Sequence, residues 1–121
     1  MNNNFGDFFR ERRIKLGFTL RAFCERYNYD PGNISRLERN ILSPSINENN
    51  LAGYAKSLGV VRDTEDWVTF FDLAHLAKGR VPEDIQRDYG ANHLLPVFFR
   101  TMRNKKIDRA KLENLIKMLN E

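Results

Sequence analysis

The chain has 121 residues, enough for one compact domain or for a small domain with a long appendage, and not for two ordinary domains. With 12% aromatic and 30% charged residues, 7 glycines and 4 prolines, it is neither collagen-like nor low-complexity. Its longest apolar run, LLPVFF from Leu94 to Phe99, is far short of the roughly 18 residues a membrane-spanning helix needs.

The net charge of +4 is small, but its distribution is uneven. Residues 1–40 hold eight basic and five acidic side chains, residues 41–99 five and eight, and residues 100–121 seven and three. Two basic ends therefore flank an acidic middle. The opening MNNNFGDFFRERR sets charges among its few apolar residues and offers no signal-peptide core, so the expected compartment is the cytoplasm. The single cysteine, Cys24, cannot form an intrachain disulfide. Neither it nor His75 and His93 stand at metal-ligand spacing, so no metal or cofactor is expected.

Taken in chain order, the segments have helical periodicity and none alternates as a strand would. The spacing predicts a first helix from about Gly6 to Leu16, closed by Gly17. Thr19 is a cap for a second helix, Leu20 to Tyr27, whose Leu20, Phe23, Cys24 and Tyr27 form one apolar stripe. Asn28 suits a left-handed turn, and Asp30 with Pro31 starts a third helix running to about Arg39. A fourth helix is expected from Glu48 to Leu58, closed by Gly59, and a fifth behind Asp63 or Thr64. The fifth carries Trp67, Phe70, Phe71 and Ala74 on one face. Pro82 and Pro96 signal short helices in the stretch that follows, and Asp108 caps a last helix reaching Asn120.

Helices two and three, joined around Asn28, have the connection of a helix-turn-helix. The segment FGDFFRERRIKLGFTLRAFCERYNYDPGNISRLERNILSPS resembles the Cro and phage-repressor type of helix-turn-helix domain, the XRE family. The matching positions are Gly6, Arg10 and Arg13, the Gly17 and Thr19 hinge, Cys24 at the small-residue position, and NISRLERN in the third helix. The resemblance covers about Phe5 to Gly59. It implies an all-α fold: a five-helix Cro/repressor-like helix-turn-helix domain followed by an α-helical C-terminal extension, with domains at 1–60 and 61–121. It also implies a sequence-specific transcriptional regulator, a repressor on double-stranded operator DNA, and an ion pair between Arg10 and Glu38 that links helix one to helix three. Truncating either member would strand the other's charge at a cost of about 3 to 5 kcal/mol. Two positions depart from the family pattern: Leu20 replaces a usual glutamine, where it would touch a thymine methyl or simply pack, and Asn40 replaces a usual glycine.

The residues support the same reading directly. In helix three Ile34 and Leu37 point one way, and Gly32, Asn33, Arg36 and Arg39 the other. An apolar back and a polar front let such a helix seat on helix two and present its first turns to a major groove. Asn33 suits adenine and Arg36 suits guanine or a phosphate. Gly32 permits close backbone approach, or is a tolerated helix-start glycine. Outside this setting Asn33 and Arg36 would read as a solvated face. Phosphate contacts are expected from Thr19 and Arg21 at the start of helix two, from Arg39, and from Asn40 and Ser43 after helix three. Arg12, Arg13 and Lys15 are expected to be solvated or weakly phosphate-facing.

No catalytic constellation is visible, and the chain is not expected to be an enzyme. His75 reads as a half-buried, hydrogen-bonded histidine, and Cys24 as a small core residue. For residues 61–121 two uses remain open. One is dimerisation on a palindromic operator, with its seam in the Trp67 to Leu76 helix, in LLPVFF or in the last helix. The other is capture of a partner protein, as in an antitoxin that binds a toxin and represses its own operon. Trp67, Phe70 and Phe71 read first as intramolecular core.

Overall fold

The computed structural model describes residues 4–90 and 93–121. Among them the chain is all-α, with eight helices: α1 (Phe5–Lys15), α2 (Leu20–Tyr27), α3 (Pro31–Glu38), α4 (Glu48–Ser57), α5 (Glu65–Ala77), α6 (Glu83–Tyr89), α7 (Leu94–Lys105) and α8 (Arg109–Leu119). Among the described residues no helix is long and apolar enough to cross a membrane.

The helix starts follow local chemistry. Asn4, Thr19, Asp30, Asn47, Thr64 and Asp108 each accept, through the side chain, a first-turn backbone N–H. Gly17, Gly59 and Gly79 follow α1, α4 and α5 with positive φ. Pro96 lies in the first turn of α7, where a missing N–H costs no helical hydrogen bond.

The chain divides between Pro82 and Glu83. α5 belongs to the first unit, which therefore holds five helices. There α1 packs on α3 and α5, α2 on α3, and α4 on α5. Phe5, Phe9, Phe23, Ile34, Leu37, Leu51, Leu58 and Phe70 are buried together. Phe70 reaches from α5 to Phe5 and Phe8, with ring centroids 5.0 and 5.6 Å away, and Ala74 is fully buried beside it. Trp67 and Phe71 stack at 4.9 Å and pack against this core from its edge. Arg12 adds a link, donating to Asp66 at 2.8 Å and to the Gly59 carbonyl at 3.2 Å.

At the contact of α1 with α3 the backbones nearly touch. A Cβ on Gly6 would collide with the Leu37 carbonyl oxygen and lie 2.6 Å from that of Glu38. The Gly6 N–H donates to Asn40 Oδ1 at 2.9 Å, and Asn40 itself is left-handed at φ 59°. The asparagine thus ends α3 and caps α1 at once.

The second unit, Glu83–Glu121, consists of α6, α7 and α8. Lys106, at φ 47°, ends α7, and Asp108 opens α8 by accepting from the Lys111 N–H at 2.9 Å. No residue of these three helices is buried.

Candidate nucleic-acid interface

The candidate site is built on α2, the turn Asn28–Tyr29–Asp30, and α3. Thr19 Oγ1 accepts from the Ala22 N–H at 3.1 Å and fixes the start of α2. Asn28 adopts φ 59°, ψ 50°, and the Tyr29 N–H reaches back to the Cys24 carbonyl at 2.9 Å. Asp30 then accepts from the Asn33 N–H at 2.9 Å, with Pro31 in the first helical position. The turn is also held from the side. The Tyr29 ring lies 5.8 Å from Phe23 and 5.2 Å from Tyr54. Ser57 Oγ donates to the Gly53 carbonyl at 3.0 Å, which leaves the Tyr29 hydroxyl to donate to Ser57 Oγ at 2.8 Å. This anchor from turn to α4 has no local sequence signal, since its partners lie far apart in the chain.

α3 has two chemically distinct faces. Ile34, Leu37 and Glu38 are buried, whereas Asn33, Arg36 and Arg39 are exposed and Gly32 is half-buried. Residues 32, 36 and 39 share one side by helical spacing, with 33 at its edge, so the expected front is assembled. Arg36 Nη2 donates to Asn33 Oδ1 at 2.6 Å, so the two side chains present one joined polar group. That bond takes one of the two lone pairs of the Asn33 oxygen and leaves the other for a base. A Cβ on Gly32 would stand 3.2 Å from Asp30 Oδ2 and 3.4 Å from Arg36 Nη1. The glycine therefore leaves room for the capping carboxylate and the arginine. Arg39 Nε donates to Ser35 Oγ at 3.3 Å.

The residues expected at phosphates are arranged less uniformly. Thr19, Arg21 and Ser43 are exposed. The N–H groups of Leu20 and Arg21 begin α2, where no intrahelical carbonyl meets them. Asn40 is exposed, but its side-chain oxygen is committed to Gly6, which makes it a brace between helices first. Leu20 packs against the core, the second of its two expected uses.

The expected Arg10–Glu38 pair is replaced by another. Arg13 Nε donates to Glu38 Oε2 at 2.7 Å and Nη2 to Oε1 at 2.8 Å, a two-pronged buried bridge, while Nη1 donates to the Phe18 carbonyl at 2.8 Å. Arg10 is exposed and, among the described residues, makes no ion pair. Helix geometry explains the exchange. The buried residues of α1 are Phe5, Gly6, Phe9 and Arg13, and at 100° per residue Arg10 lies about 85° from the centre of that arc against about 25° for Arg13. Arg12 and Arg13 are thus structural rather than solvated. The hydrogen bond to Glu38 raises the Arg13 pKa above its ordinary value against the opposing effect of burial.

Burial raises the Cys24 thiol pKa, with the Glu38 charge adding to the effect, so the thiol stays protonated. Burial likewise raises Tyr54. His75 is buried, its Nδ1 2.8 Å from the Phe71 carbonyl, an acceptor that requires the proton on that nitrogen. Among the described residues no group of three or more His, Cys, Asp or Glu is placed to hold a metal ion.

No protein-family model matches the chain, and no curated protein or solved structure matches it.

Proposed function

We propose that this protein is a sequence-specific DNA-binding regulator of the Cro/repressor-like helix-turn-helix type, acting as a dimeric repressor on double-stranded DNA. The observation that carries the reading is the division of α3 into a buried side, Ile34, Leu37 and Glu38, and an outward side, Gly32, Asn33, Arg36 and Arg39, held at a fixed angle by the Asn28 turn. A helix of this kind presents two or three side chains to the base edges of a major groove. Arg36 is the reader, two parallel donors matched to guanine O6 and N7, with Asn33 beside it. Arg21, Thr19, Arg39 and Ser43 supply backbone contacts that set position, and the modest basic excess supplies attraction. Nothing in this function calls for a cofactor.

Selection of bound duplexes from a random pool, followed by gel-shift titration, tests the reading. Arg36→Ala should weaken the selected site by about 1 to 3 kcal/mol, roughly fivefold to 150-fold, with an unchanged far-ultraviolet circular dichroism spectrum because the side chain is exposed. A chain that enriches no sequence, or an Arg36→Ala variant of undiminished affinity, contradicts it.

A further inference from the structure

The stretch Glu83–Glu121 carries three helices and no buried helical residue. Among the described residues none of α6, α7 and α8 forms an extensive contact with another. Yet these are amphipathic helices. α7 exposes Leu94, Val97 and Phe98, and α8 exposes Leu112, Ile116 and Leu119 at i, i+4 and i+7. A segment of about 40 residues seldom buries enough apolar surface to hold by itself, and a second chain is a common remedy.

Charge indicates which chain. α6 carries Glu83, Asp84 and Asp88 against Arg87, while α7 and α8 carry Arg100, Arg103, Lys105, Arg109, Lys111 and Lys117 against Glu113. Asp88 lies 3.6 Å from Arg87 and Glu113 lies 2.8 Å from Arg109, each pair within one helix. Among the described residues Glu83, Asp84, Lys105 and Lys111 make no ion pair. The segment is therefore its own electrostatic complement. A two-fold contact sets the acidic helix of each copy against the basic helices of the other, twice over.

We propose that Glu83–Glu121 is a self-association module, in which α7 and α8 bury their apolar faces against a second copy of this chain and α6 of each copy meets the Lys105 and Lys111 cations of the other. The proposal rests on the dimeric part of the function proposed above and is independent of its DNA contacts.

Sedimentation equilibrium of the full chain over a micromolar concentration series provides the test. The expected result is a dimer, reduced to monomer in Phe98→Glu/Ile116→Glu, with a thermal unfolding transition of the α1–α5 core still present. Two further full-length chains separate contact between copies from contact within one. Glu83→Lys/Asp84→Lys and Lys105→Glu/Lys111→Glu should each self-associate at least about tenfold more weakly, and should recover dimerisation when mixed, because the mixed dimer restores opposite charges at both contacts. A wild-type chain that stays monomeric overturns the proposal, as does a dimer indifferent to Phe98→Glu/Ile116→Glu. Charge-reversed chains that fail to rescue each other also overturn it, whether the basic helices then prove to serve an acidic partner or the DNA backbone. Retention of a selected duplex by a monomeric chain would leave the DNA reading standing while removing this seam.

Discussion

Arg13 is a charge that the fold has taken out of water and held with Glu38 and the Phe18 carbonyl. A buried pair of this kind contributes little relative to a well-packed apolar substitute, but removing one member leaves the other charged and unsolvated. Arg13→Ala is therefore expected to lower unfolding free energy by about 3 to 5 kcal/mol in urea titration. Arg10→Ala, at an exposed position without an ion pair among the described residues, should stay within about 0.5 kcal/mol. The opposite order would return the bridge to Arg10. Because the folded Arg13 pKa is raised, its contribution is complete below the ordinary arginine value and is lost only as pH climbs through the raised one. The correct partner was within reach of the sequence, since Phe5, Phe9 and Arg13 repeat every four residues. A resemblance weighted toward Arg10 points to the wrong turn of the same helix.

Between elements, the closest approach is that of α1 to α3 at Gly6, and it sets a contest between two effects of opposite sign. Alanine inside a helix is favoured over glycine by about 1 kcal/mol, so propensity alone makes Gly6→Ala stabilising. Its Cβ, however, would meet backbone oxygens of Leu37 and Glu38 that cannot swing away as a side chain can. Sterics should win, with a net loss of about 1 to 3 kcal/mol as α1 is pushed off α3. Thermal unfolding by circular dichroism checks the sign, and a raised midpoint would show that the two helices have slack. The same position marks what the sequence discloses about elements. Caps at Thr19, Asp30 and Asp108 and the left-handed Asn28 were legible because each acts within a few residues of itself. Gly6 and Asn40 matched or departed from a family pattern without revealing that they bond to each other, because that reason lies across the fold.

On the scale of the whole molecule, the apolar stripe of α5 was readable, but a stripe does not say what it covers. In the structure it closes the core of the first unit, Phe70 against Phe5 and Phe8, while Arg12 reaches Asp66 from α1. The front of α3 is therefore supported by a unit that ends at Pro82, and a chain cut after residue 60 would lose Phe70 and Ala74 from a core in which both are fully buried. Losing one buried phenylalanine side chain costs about 3 to 5 kcal/mol, comparable to the lower end of the 5 to 15 kcal/mol by which small domains are stable. A fragment spanning Met1–Pro82 is accordingly expected to unfold in one cooperative transition, with dispersed amide resonances. A fragment ending at Val60 should give a broad transition and bind a dye specific for exposed apolar surface. Equal cooperativity in both would mean that α5 only decorates the core, and the support for the α3 front would then have to come from α1, α2 and α4 alone.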